Sequence, residues 1–210
     1  GDGGRRFASA MLFVTDAFEC LPHLGCQLQV LALEIVFLVA FLPAGTVVVR
    51  SLLASHPAKP RVLARMQHDF HHSFNISLQD EEVWNLFCST FAIGVQHLVG
   101  GLLILPALVE HFASPTGQVS AAALRLAGAG ALTEVAFDII DSVRCLYRHF
   151  VRRNMPGGWP FVKLMLVHHQ LSLLLVLPMN VYFWDDSDYH RMTFNLMGAG
   201  GFALFVSNRM

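Results

Sequence analysis

Two adjacent histidines, His168 and His169, stand in the apolar stretch FVKLMLVHHQLSLLLVLPMNVYF of residues 161–183. One segment earlier, Glu134, Asp138 and Asp141 follow one another at i, i+4 and i+7. An imidazole beside a carboxylate can act as a general base, or carry an acyl group as a nucleophile. The carboxylate then orients the ring and stabilises its cation. On a helix, the i, i+4, i+7 spacing sets the three carboxylates on one face. Neighbouring helical residues point about 100° apart, so only one of the two histidines can face the centre of a bundle fully. His168 shares a face with Ser172, four residues on. The candidate catalytic residues are therefore His168, His169, Asp138 and Asp141.

Glu134, His97, Ser172 and Gln96 are the candidates for substrate contact. Gln96 and His97 precede Gly100 and Gly101, which let a neighbouring backbone come close. Glu34 and Asn195 are weaker candidates, and GAGG at 198–201 reads as a packing seam. The plainer alternative for the acidic stripe is that it pairs with histidines, Arg144 and Arg148 to lock helices together.

These groups need elements to hold them, and composition says which kind. The chain has 210 residues, 54% of them hydrophobic and 14% charged, against about 25% charged in an ordinary soluble domain. That shortfall points to a membrane. No linker divides the chain, so it reads as one transmembrane domain over residues 1–210. The net charge of −1 argues against nucleic acid or any other polyanionic partner. Spans are expected near 27–49, 85–110, 121–147, 161–183 and 191–210, each close to the roughly 20 residues a bilayer requires. Backbone groups in lipid must be satisfied within their own segment, so the fold expected is all-α, a polytopic bundle of about five spanning helices. Residues 1–26 are an N-terminal segment. Within it, 7–14 is too short to span and is not a clear signal peptide. Pro178 is expected to kink the last part of the fourth helix or to end it.

The loops alternate in charge. Arg50, Lys59, Arg61 and Arg65 lie between the first two spans, and Arg148, Arg152, Arg153 and Lys163 between the third and fourth. The second–third connection has no Lys or Arg, and the fourth–fifth is acidic. The positive-inside rule then puts 50–84 and 148–160 in the cytosol. Asn75 of the NIS sequence would face the cytosol and stay unglycosylated.

His68, His71 and His72 form an H-x-x-H-H pattern whose helical spacing suits metal ligation, although a solvated cluster is the plainer reading. Asp80 can start the following helix by capping. Cys20 and Cys26 could pair, but four free thiols is the plainer expectation. No phosphate loop, nucleophile elbow or C-x-x-C pair is present, and no cofactor or metal site is expected.

An acidic membrane helix, a short basic loop and a helix carrying VHH together resemble the TLC (TRAM, Lag1, CLN8) domain family over roughly 85–210. The resemblance implies a polytopic membrane protein of the endoplasmic reticulum or another internal membrane. It also implies that the protein acts on or senses lipids. In the ceramide synthase members the adjacent histidines belong to the conserved motif, and His168 and His169 match them. The implied partners are membrane lipid, acyl-CoA as donor with its phosphates drawn to the basic loop, and other membrane proteins. Two alternatives stand beside this: a non-enzymatic lipid-binding or scaffold subunit, and a histidine-box di-iron lipid hydroxylase.

Overall fold

The structure is a computed structural model that describes residues 20, 21, 23–155 and 158–207. Most of the N-terminal segment, the 7–14 stretch included, and the last residues of the fifth expected span lie outside the described residues. All elements among the described residues are helical. They are α1 (Leu24–Leu53), α2 (Lys59–Phe74), α3 (Asp80–Ala113), α4 (Ala121–Tyr147), α5 (Gly158–Tyr182), α6 (Ser187–Phe194) and α7 (Gly200–Ser207). A π turn, Arg148–Arg152, closes α4, and a second, Asn195–Ala199, joins α6 to α7.

Among the described residues three helices, α1, α3 and α5, are long and apolar enough to cross a membrane. In α1 and α5 only 11% of the most apolar window is buried, against 44% in α3. The outer helices therefore turn bare Val, Leu and Phe side chains outward, as lipid allows and water does not. α4 differs because Arg125, Glu134, Asp138, Asp141 and Arg144 interrupt it. It sits inside the bundle, packed on α1, α3 and α5. Its small residues Ala127, Gly128, Ala129, Gly130 and Ala131 are all buried, so neighbouring helices come close to its backbone.

Local chemistry sets the helix ends. Ser120 caps α4, its Oγ accepting from the Ala123 N–H at 3.2 Å. Asp186, from the acidic connection, caps α6 by accepting from the Tyr189 N–H at 2.9 Å. α3 begins differently from expectation. Gln79 rather than Asp80 is its N-cap, in a reciprocal box with Glu82, because the Gln side chain reaches the N–H of the third helical residue. Asp80 instead accepts from Gln67 of α2 at 2.6 Å. Pro178 does not end α5, which runs on to Tyr182; bundled helices in lipid tolerate such prolines. α2 stops at Asn75, which takes the left-handed conformation at φ 52°.

Cys20 and Cys26 form a disulfide, contrary to the expectation of four free thiols. Their Cα atoms are 5.9 Å apart across the turn that starts α1, within bridging range. Cys88 and Cys145 are free and buried.

The glycines make the seam that their pattern suggests. A Cβ on Gly201 would lie 2.9 Å from the Gly94 carbonyl oxygen, and one on Gly130 would lie 2.5 Å from the Gly100 carbonyl oxygen. α3 thus takes α4 on one face and α7 on another at backbone contact. That closeness brings the polar side chains of α3, α4 and α5 into one layer.

Candidate functional site

α4 and α5 meet along a face on which Asp138 and Asp141 stand three residues apart and face one α5 side chain. That side chain is His169. Its Nδ1 lies 2.5 Å from Asp138 Oδ1 and its Nε2 lies 3.0 Å from Asp141 Oδ2. A carboxylate only accepts, so both bonds are complete when both ring nitrogens carry protons. One imidazole thus bridges two carboxylates of consecutive turns. The side chains of His169 and Asp138 are closed off from solvent, whereas Asp141 remains 24% exposed and also accepts from the Cys145 thiol at 3.7 Å. Asp138 Oδ2, Ser142 Oγ and Ser172 Oγ are buried and make no hydrogen bond. Buried polar atoms are usually satisfied, so the layer has capacity for a further polar group.

His168 does not share this arrangement. It points outward and is exposed, with its ring 5.3 Å from that of His169. The spacing leaves open which of the two histidines turns inward; the inner one is His169. The rotation of α5 that buries Val162, His169 and Asn180 forces the choice, since the next residue back must turn about 100° away.

Glu134, the third member of the acidic stripe, goes to another histidine. Its Oε2 lies 3.1 Å from His97 Nε2. His97 Nδ1 is 3.0 Å from the Ile93 carbonyl, which can only accept, so Nδ1 carries a proton. The Phe137 ring separates the two histidines, edge-on at 5.7 Å from His97 and 6.0 Å from His169. The stripe is thus split between a His97–Glu134 pair and a His169–Asp138–Asp141 trio, with a phenyl ring between them. Gln96 belongs to neither, because its Nε2 donates to the Thr133 carbonyl at 3.1 Å and ties α3 to α4. Glu34 on α1 is half-buried, with its Oε2 enclosed and unbonded, whereas Asn195 is exposed in the π turn.

His68, His71 and His72 lie exposed on α2, with the His68 and His72 rings stacked 5.9 Å apart. Among the described residues, no group of three or more His, Cys, Asp or Glu side chains is placed to hold a metal ion.

A second polar cluster was not expected. Asn180 is fully buried and joins four helices. Its Nδ2 donates to Gln27 Oε1 at 3.3 Å and to the Gly128 carbonyl at 3.2 Å, and its Oδ1 accepts from the Tyr189 hydroxyl at 3.3 Å. Gln27 Nε2 in turn donates to the Asn180 carbonyl at 3.0 Å. The available signal was a lone Asn after Pro178 in an otherwise apolar run.

Comparison with protein-family models, with characterised proteins and with solved structures finds no match to this chain.

Proposed function

We propose that the chain is a five-span, TLC-like protein of the endoplasmic reticulum or another internal membrane. It handles lipids by acyl transfer at His169. The observation that carries this reading is the buried imidazole with a carboxylate on each ring nitrogen. α4 serves as the third span because its charged face is turned onto α1, α3 and α5 rather than onto lipid. The helix running from α6 through the π turn into α7 serves as the fifth. The end that carries the Cys20–Cys26 disulfide faces the oxidising side, and the free Cys88 and Cys145 lie toward the cytosolic ends of α3 and α4.

In this mechanism Asp138 fixes the ring through Nδ1. Asp141, the more open partner, takes the Nε2 proton as an acceptor amine or hydroxyl enters. Nε2 then removes the acceptor's proton while its nitrogen or oxygen attacks the thioester carbon of acyl-CoA. The C–S bond breaks, and the departing thiolate is protonated from the imidazolium. Apolar faces between helices hold the acyl chain. His169→Ala protein, offered acyl-CoA with amine or alcohol acceptors, tests this. Acyl transfer by the parent that is undiminished in the variant refutes the mechanism.

A second reading has its own observation. Both ring nitrogens of His169 are already engaged and the ring is closed off, as a cross-brace in a lipid-binding or scaffold protein would be. On that reading His169→Ala lowers thermal stability and leaves any lipid-dependent activity in place, and membrane-protein partners co-purify.

A further inference from the structure

From residue 142 to residue 184 the sequence contains no Asp or Glu, yet it carries Arg148, Arg152, Arg153 and Lys163 around the α4–α5 connection. These four gather at one end of the bundle, in the π turn that closes α4 and the first turns of α5. The Lys and Arg ion pairs among the described residues are Arg50–Glu81, Arg65–Asp69 and Arg191–Asp188, so none neutralises this end. The basic α2 segment is different: Arg65 has Asp69, and the acidic start of α3 lies close by.

Aromatic side chains alternate with the four cations and are also left bare. Phe150 is 61% exposed and Trp159 39%. The two rings are 5.7 Å apart, and His149 stacks on Trp159 at 5.2 Å. The Arg152 guanidinium sits 5.9 Å over the Tyr147 ring, and Lys163 Nζ sits 5.7 Å over Trp159. Arg153 ends the turn in the left-handed conformation, and Arg148 is anchored to the Asn154 carbonyl at 3.2 Å. The result is a collar of rings with cations over the faces of Tyr147 and Trp159.

We propose that this collar is a binding site for the headgroups of anionic phospholipids in the leaflet it meets. α5 is long and apolar enough to span, so its first turns emerge at a membrane surface. Amphipathic rings settle at that level, and cations beside them reach the phosphates. The alternation of rings and charges selects this occupant over a soluble phosphate compound such as CoA. A soluble anion would satisfy the cations and leave Phe150 and Trp159 in water, whereas a leaflet takes both. The site requires α5 to span and is independent of acyl transfer at His169.

The test uses the whole protein in neutral mixed micelles with brominated lipids, which quench an indole they touch. Trp159 is read as the difference between parent and Trp159→Phe protein, and circular dichroism checks the fold of each variant. Brominated phosphatidylserine should quench Trp159 at a mole fraction roughly tenfold or more below brominated phosphatidylcholine, from a fewfold gain per cation at an anionic surface. The doubly substituted Arg152→Gln/Arg153→Gln protein should lose that preference, and about 0.5 M salt should weaken it. Equal quenching by the two lipids in the parent overturns the proposal. So does a preference unchanged in the doubly substituted protein, or CoA displacing phosphatidylserine from the collar.

Discussion

Nδ1 of His169 lies 2.5 Å from Oδ1 of Asp138, and both side chains are only 2% exposed. A hydrogen-bonded pair this deep is stable together and costly apart, because removing one partner leaves the other desolvated and unmatched. Asp138→Asn and His169→Ala should each destabilise the protein by roughly 3–5 kcal/mol. The double variant should cost clearly less than the sum of the two. Thermal unfolding of the four proteins in detergent measures the coupling, and additive losses would show that the two side chains do not depend on each other.

The two adjacent histidines should behave oppositely. His168 is exposed on the outer face of α5, so His168→Ala should change stability by no more than about 0.5 kcal/mol and leave acyl transfer intact. His169→Ala should lose both. A variant pair with the reverse pattern would place the site on the wrong side of the helix.

Close backbone contact makes a third expectation. Gly130→Ala puts a methyl group 2.5 Å from the Gly100 carbonyl oxygen, so α3 and α4 must part, at about 1–3 kcal/mol. Gly25 has nothing within 4 Å of the equivalent position, and Gly25→Ala should be tolerated. Unfolding midpoints of the two variants give the comparison. Equal midpoints would mean that the helices are not in contact at the seam.

Orientation is open to a direct check. With the α1 start on the oxidising side, Cys20 and Cys26 should resist thiol labelling until reduced. Reduction should lower stability by about 2 kcal/mol, the chain-entropy value for so short a loop. Asn75 follows α2 at the opposite end, so Asn75→Gln should not change the mass of protein made in cells. A glycan on Asn75 would invert the bundle.

Helices were legible from composition and spacing because lipid leaves few options. A long apolar run must satisfy its own backbone, so 85–110 and 161–183 announced α3 and α5, and 121–147 matches α4 at both ends. The acidic stripe was legible as well: the i, i+4, i+7 spacing of Glu134, Asp138 and Asp141 holds on any helix, whatever packs on it. GAGG at 198–201 pointed to close packing for the same local reason, since only a missing Cβ lets two backbones meet.

Partnership was beyond the sequence. Nothing in VHH says which histidine turns inward; the packing of Val162 and Asn180 against neighbouring helices fixes the rotation of α5 and selects His169. Nothing in the stripe says that Glu134 leaves it for His97 while Phe137 comes between, because that depends on where α3 crosses α4. The four-helix junction at Asn180 shares that cause. Periodicity along one chain sets which residues share a face, but the distance from that face to the next helix is decided only when the bundle closes.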